Sequence, residues 1–325
     1  MARFNNLPNN HLKYPRNIFP PEEVTVEGKK WTLYRASFPN LYSLYDYLKS
    51  DPETNSVVFK TLQSEENSEK QSGKPYSEAL EDLLKQDDEE YEKFIKLEGS
   101  INGAIKAETS KYQTVMSVQG GYLNVPAYVA GDPLCYERVE RVKKPKFIKM
   151  HVLISYSGST VKSQVENRAI IIASIIKALE SAGYSVDLNA FELSKLFNEL
   201  ECTTINIKRH GESMKMTDLY KILCHIEFFR RLLFRVIETL DVQECWNQGY
   251  GRKCTREFTE EFFKMGKDDI YFDQPSKMGI HGYSKAEDFE SVIDYLNLRD
   301  KIDVEKAKED FRREDVKLKL KRSNN

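Results

Sequence analysis

The feature that most constrains the fold is a continuous β-loop-α-β pattern between His151 and Leu193. An apolar run at 152–154 is followed by a Ser/Gly loop and then by apolar residues at helical spacing. Gly183 ends the helix, and an alternating strand begins directly after it. Because a strand, a helix and a second strand in this order form the unit of an open sheet covered by helices, the sequence predicts an α/β protein.

The loop of this unit, Ser155-Tyr156-Ser157-Gly158-Ser159, places hydroxyls at every second residue. Hydroxyls with this spacing project from the same side of an extended chain, where they can face a cation or an anion. The same residues also suit a turn that binds nothing, because serine caps helix N-termini and glycine permits the turn. The sequence therefore leaves two interpretations open, an ion site and a serine-capped turn without an ion.

The loop and two later segments resemble the von Willebrand factor A family. Its metal-ion-dependent adhesion motif, Asp-x-Ser-Gly-Ser, is similar to the loop, its Gly-Thr-Asp-Leu to 216–219, and its strand ending on an aspartate to 269–273. The resemblance implies a three-layer, Rossmann-like α/β domain and a Mg²⁺ site. The family's ligands correspond to Ser155, Ser157, Ser159, Thr217 and Asp273. Since Ser155 replaces the family's first aspartate, an anionic ligand is lost, and we expect a degenerate site without a resident cofactor.

A Gly/Pro-punctuated segment precedes this unit and carries Val125-Pro126-Ala127-Tyr128 and Gly131-Asp132-Pro133. Together with the β-loop-α-β unit, it resembles a group of uncharacterised bacteriophage proteins that share these motifs ahead of an A-domain-like core. The likeness covers roughly residues 115–195. It implies a viral origin but no activity.

Composition along the chain predicts four regions. Residues 1–35 are polar and rich in Asn and Pro, which is typical of an extended arm. Residues 36–145 are predicted to be mostly helical, starting with a helix whose Leu41, Leu44 and Leu48 share one face. The resemblance described above assigns residues 146–300 to the A-like domain, and residues 301–325 are predicted to form a charged C-terminal tail.

Several classes of protein are disfavoured by the composition. The formal net charge is −2, so the chain as a whole does not attract nucleic acid. It has neither a signal-peptide core nor an apolar run approaching the ~18 residues of a membrane span, so we expect a cytoplasmic protein, in the host cytoplasm if viral, with no membrane partner. The five cysteines show no metal-binding spacing and are expected to be reduced. No Walker A, G-x-S-x-G or G-x-G-x-x-G motif occurs, so we predict a protein that is not an enzyme.

Basic residues interleaved with aromatic ones provide candidates for binding single-stranded nucleic acid, because phosphates pair with Lys or Arg and bases stack on rings. The candidates are Lys143, Lys144, Lys146, Lys208, Arg209, Trp246, Tyr250, Arg252, Lys253 and Arg256. A chain with this many charges also places basic residues on its surface without any such role.

The leading hypothesis is a bacteriophage accessory protein without enzymatic activity that docks on a protein partner, in a transcription or replication complex such as one containing a polymerase. The second hypothesis is a direct single-stranded DNA- or RNA-binding protein. A third and weaker one is a metal-dependent partner of the chaperone or chelatase type.

Overall fold

The computed structural model of the protein is mixed α/β, with helices around a six-stranded sheet, which confirms the predicted class. The structure describes residues 17–52, 74–85, 92, 112–141, 146–181, 183–240, 254–299 and 302–323. The strands are β1 (Ile18–Val26), β2 (Lys29–Phe38), β3 (Tyr112–Ser117), β4 (Tyr122–Leu123), β5 (Tyr136–Arg141), β6 (Lys146–Leu153), β7 (Tyr184–Leu196), β8 (Glu199–Lys208) and β9 (Ile270–Phe272).

The helices are α1 (Leu41–Lys49), α2 (Tyr76–Asp82), α3 (Val125–Val129), α4 (Lys162–Ser181), α5 (Met216–Leu223), α6 (Phe234–Thr239), α7 (Arg256–Phe262), α8 (Lys285–Tyr295) and α9 (Val304–Ser323). A π-helix spans Phe228–Leu233 and a 3-10 helix spans Pro275–Met278. Among the described residues, no helix has the length and apolar content that crossing a membrane requires.

The predicted β-loop-α-β unit is confirmed as β6, α4 and β7. The two strands are parallel and in register from Lys146 opposite Tyr184 to Leu153 opposite Phe191. Gly183 has a φ of +90°, a left-handed conformation that glycine adopts without strain, and it turns the chain from α4 into β7. β8 then returns antiparallel to β7, so the main sheet contains both strand directions.

The sheet order is β1-β2-β8-β7-β6-β9, with β2 parallel to β8 and β9 parallel to β6. The prediction that residues 1–35 form an extended arm is therefore wrong from Ile18 onward. The prolines and glutamates of residues 20–23 interrupt the apolar alternation by which a strand is recognised. Prolines are nevertheless tolerated in β1 because it is an edge strand. Trp31 and Leu33 of β2 are buried in the core, which fixes this hairpin in place.

Two clusters of buried apolar side chains lie on opposite faces of the main sheet, since Val152 belongs to the larger and its neighbour Leu153 to the smaller. The larger cluster includes α4, whose Ile172 and Ile176 are almost fully buried. The smaller includes Phe258 of α7. Apolar layers on both faces explain why the strands are rich in Val, Ile and Leu.

A second, three-stranded antiparallel sheet has the order β3-β5-β4 and carries α3. The prediction that 36–145 is mostly helical is wrong for 112–141, although α1 and α2 are helices as expected. The predicted charged tail is largely the helix α9, which packs on α8 through the rings of Phe289 and Phe311, 5.3 Å apart.

Candidate functional site

The serine loop follows β6, and Asp273 follows β9. Because these two strands are parallel, their carboxyl ends lie at the same edge of the sheet, here called the carboxyl edge. The Oγ of Ser157 lies 3.1 Å from the Oγ of Ser159 and 3.0 Å from the Oγ1 of Thr160. Three hydroxyls of the loop therefore bond to one another, in the manner of a tight polar turn.

Ser155 has a different environment from the other loop serines. It is fully buried, and its Oγ donates to Oε1 of Glu192 in β7 at 3.4 Å, an oxygen that also accepts from the hydroxyl of Ser194. Burial raises the pKa of Glu192, which is close to the buried Glu201 of β8. The buried site therefore favours the neutral, protonated form of the Glu192 carboxyl more than water does.

Arg168 of α4 connects the ends of the two strands. Its guanidinium is fully buried and donates through Nη2 to the carbonyl oxygen of Leu153 at 2.7 Å and through Nη1 to that of Asp273 at 2.9 Å. The ring of Tyr156 lies 5.3 Å from its Cζ. A permanent positive charge thus lies between the carboxyl ends of β6 and β9.

Sequence reasoning missed Arg168, although a signal was available. Arg168 is three residues after Val165 and four before Ile172, so it shares the buried face of an apolar helix. A second arginine, Arg230 of the π-helix, donates through Nη2 to the carbonyl oxygens of Ser157 and Thr160 at 2.5 and 3.3 Å. Guanidinium groups therefore hold the backbone on both sides of the loop.

Thr217 does not join the other predicted ligands. It is the second residue of α5, which starts just after the end of β8. Since β8 runs antiparallel to β7 and β6, it ends at the opposite edge of the sheet, here called the amino edge. The eight residues of β6 separate these edges by about 26 Å at ~3.3 Å per residue.

Asp273 is the one carboxylate among the five predicted ligands. It is 5% exposed, and it accepts from the backbone N–H of Gln274 at 2.6 Å and from the hydroxyl of Tyr295 at 3.4 Å. Within the described part of the chain, no three His, Cys, Asp or Glu side chains lie together as a metal site requires. A divalent cation held by the predicted ligands would gain one anionic ligand, Asp273, and would meet the charge of Arg168.

The described nucleic-acid candidates occupy both edges. Arg209 and His210 follow β8 at the amino edge, where β6 begins at Lys146, and the imidazole of His210 lies 5.2 Å from the ring of Phe147, which is 58% exposed. Lys208 is buried and its Nζ pairs with Glu180 at 2.8 Å, so it is part of the folded interior and not of the surface.

Arg256 lies at the carboxyl edge, away from those residues. Its guanidinium is 5.2 Å from the ring of Tyr295, which contacts Asp273, and it pairs with Glu260 at 2.6 Å. The remaining candidates, Lys143, Lys144, Trp246, Tyr250, Arg252 and Lys253, lie outside the described residues.

The small sheet carries a concentration of exposed apolar side chains. Eight of the fifteen large apolar side chains that the described residues expose lie between 116 and 134. We call them the 116–134 surface: Met116, Val118, Tyr122, Leu123, Val125, Tyr128, Val129 and Leu134. Pairing of β3 and β4 with the same strand, β5, brings them into one unit.

Comparison with known proteins gives one match. No curated protein and no solved structure matches the chain. A family model described as a domain of unknown function, DUF7192, matches residues 16–303, a span that covers β1 to α8 and both sheets. The chain therefore belongs to the DUF7192 family.

Proposed function

We propose that the protein is a docking protein without enzymatic activity, which binds a protein partner through the 116–134 surface. One observation carries this proposal, the concentration of exposed apolar side chains on a small sheet. Single exposed apolar residues are ordinary on protein surfaces, but a group of them within one small unit is typical of an interaction site. Tyr128 is 61% exposed and Val129 is 78% exposed, so each offers most of its side chain to a partner.

The proposal includes a von Willebrand factor A-like identity for residues 146–300. It is supported by the order β6, serine loop, α4, β7, and later a strand, β9, that ends directly before Asp273. The arginine contacts at the carboxyl edge support a degenerate site that works without Mg²⁺, since Arg168 supplies a charge of the same sign. The bacteriophage origin and a transcription or replication partner are part of the same proposal.

Site-specific photocrosslinking in the protein's native cells tests this proposal. A photoreactive phenylalanine analogue placed at Tyr128 should yield a covalent adduct with another protein. The matched control is Tyr283, which is 94% exposed but lies outside the 116–134 surface, and there we expect no adduct. Equal crosslinking at both positions, or none at Tyr128, would contradict the proposal.

A second candidate function is favoured by the amino edge, where Arg209 and the exposed Phe147–His210 ring pair lie together. A cation beside an exposed ring suits single-stranded DNA or RNA, because the phosphate pairs with the cation and the base stacks on the ring. Burial of Lys208 removes one of the predicted cations from this surface.

Titration of a labelled oligonucleotide at several salt concentrations tests this candidate. Arg209→Gln should lower the salt slope by about one neutralised phosphate, while Phe147→Ala should weaken binding by roughly 1–3 kcal/mol without changing the slope. Arg256→Gln, at the carboxyl edge, is the control and should change neither. Absence of binding at low salt would reject this candidate.

A further inference from the structure

The outermost strands of the two sheets differ in how they are protected against pairing with another chain. An outermost strand presents a row of unpaired N–H and C=O groups, and proteins block it with proline, charge, a bulge or short length. In the main sheet, β1 carries Pro20 and Pro21 followed by two glutamates, and its register shifts between Phe19 and Glu22. β9, on the other side, has three residues, and all of them are buried. Both outermost strands of the main sheet are therefore protected.

β3, an outermost strand of the small sheet, has none of these features. Its six residues, 112–117, read Tyr-Gln-Thr-Val-Met-Ser, without a charge, a proline or a glycine. Its register with β5 is regular over all six residues, and no described strand pairs with its outer side. The central strand β5 carries four charged side chains among six, so charge is absent from the one strand where it would prevent pairing. Uncharged strands of this length and composition pair readily with identical strands.

The small sheet also lacks a core of its own. Neither cluster of buried apolar side chains contains a described side chain of residues 112–141. β4 pairs with β5 over only two residues, and α3 has no buried residue. A sheet of so few short strands without a packed face is marginally stable in water. Additional strands would stabilise it, and a second copy of the chain can supply them.

The lengths of the strands limit this pairing to two copies. Antiparallel pairing of β3 with β3 of a second copy, related by a twofold axis, occupies the outer sides of both strands. The outermost strands of the combined sheet are then the two copies of β4, whose two residues are too few to accept a further chain. Because β3 is uncharged, its residues meet those of the copy without like-charge repulsion.

We propose that two copies of the protein pair through β3 and form a twofold-symmetric dimer with a continuous six-stranded sheet. Met116 and Tyr122 both lie opposite Glu137 and so share one face of the small sheet. A twofold axis perpendicular to the sheet keeps this face on the same side in both copies, so the dimer presents two 116–134 surfaces together. The proposal goes beyond docking and does not rest on it, because pairing uses the backbone of β3. Six residues from each copy form a small interface, so we expect a dissociation constant in the micromolar range.

Sedimentation equilibrium of the full chain over a range of concentrations tests the proposal. The average mass should rise from one copy to two with concentration and should not exceed two. Thr114→Lys combined with Met116→Lys should weaken dimerisation at least about tenfold, because pairing centred on the middle of β3 sets Thr114 opposite either itself or Met116 of the second copy. Both side chains are exposed, so the fold should tolerate these substitutions. The control, Tyr122→Lys combined with Val129→Lys, adds the same charge away from β3 and should leave dimerisation unchanged.

Mixing the lysine variant with its counterpart, Thr114→Glu combined with Met116→Glu, separates loss of pairing from loss of the fold. Opposite charges then face each other, so the mixture should dimerise although neither variant does so alone. A native protein that stays monomeric at about 0.3 mM, well above a micromolar dissociation constant, would overturn the proposal. So would a dimer that the lysine variant retains, a mixture that stays monomeric, or a mass above two copies. None of these results would affect docking, which photocrosslinking at Tyr128 tests separately.

Discussion

The two sheets of this protein use similar residues in opposite ways. In the main sheet and the helix α4 that covers it, apolar side chains such as Val152 and Ile172 are completely buried, and even the charged group of Arg168 has hydrogen-bond partners inside. In the small sheet, Tyr122 and Val129 are 72% and 78% exposed. The main sheet therefore supplies stability. The small sheet supplies the exposed apolar surface through which we propose docking. Mutations in the two regions should have different consequences.

The largest effect is expected at Arg168, where the carboxyl ends of β6 and β9 are joined. Arg168→Met should lower the free energy of unfolding by about 3–5 kcal/mol, because it leaves the buried carbonyls of Leu153 and Asp273 without donors. Arg168→Lys should restore only part of the lost free energy of unfolding, because a lysine ammonium cannot reproduce the planar pair of N–H donors of a guanidinium. Chemical denaturation measures both, and a near-neutral Arg168→Met would show that the guanidinium does not hold this edge.

The comparison is tested next by matched truncations in the two regions. Ile172→Ala, on the buried face of α4, should cost about 2–5 kcal/mol through the cavity that it leaves. Val129→Ala, on the 116–134 surface, should change stability by no more than about 0.5 kcal/mol. Equal costs in urea denaturation would mean that the 116–134 surface is part of a core and not a free surface.

A smaller and pH-dependent effect is expected at Glu192. Burial raises its pKa above the ordinary 4.5, so the folded state binds this proton more tightly than the unfolded state does. The resulting stability is present at low pH and is lost as the pH rises through the raised pKa. Glu192→Gln keeps the size of the side chain and its ability to hydrogen-bond, but the amide does not ionise.

The free energies of unfolding of the native protein and of Glu192→Gln, measured from pH 4 to pH 8, test the predicted direction of this pH dependence. The difference in unfolding free energy should move in favour of the glutamine variant as the pH rises. A difference that is independent of pH, or one that moves the other way, would contradict the raised pKa of Glu192.

The smallest effect is expected from Mg²⁺. Because Asp273 is the one carboxylate among the predicted ligands and the buried guanidinium of Arg168 donates to its backbone carbonyl, millimolar Mg²⁺ should leave the melting temperature unchanged. Ser155→Asp introduces the first aspartate of the von Willebrand factor A motif, but it places a carboxyl beside Glu192, so it should lower the melting temperature in the absence of metal. A clear Mg²⁺-dependent rise for the native protein would contradict the degenerate site.

The sequence predicts those parts of the fold that depend on local patterns. The β6-α4-β7 unit was predicted because Gly183 and the spacing of Ile172 and Ile176 are local signals. The β1–β2 hairpin was missed because its place depends on the pairing of β2 with β8, more than 150 residues away, and because Pro20 and Pro21 obscure the alternation.

The candidate site was harder to predict for the same reason. The serine loop and Asp273 could be placed at one edge because their strands were recognised, but the direction of β8 moves Thr217 to the other edge. Glu192 alternates with apolar residues as a solvent-facing residue would, and only the covering helices show that it is buried.

Docking through the small sheet is tested most directly by a surface variant that does not touch the main core. Tyr122→Ser, Tyr128→Ser and Val129→Ser combined should leave the melting temperature within a few degrees of the native value, because all three side chains are exposed. Retention of the protein crosslinked at Tyr128 should fall at least about tenfold on the immobilised variant, while a control with Phe197→Ser and Tyr283→Ser retains it fully. Undiminished retention by the triple variant at unchanged stability would contradict docking through this surface.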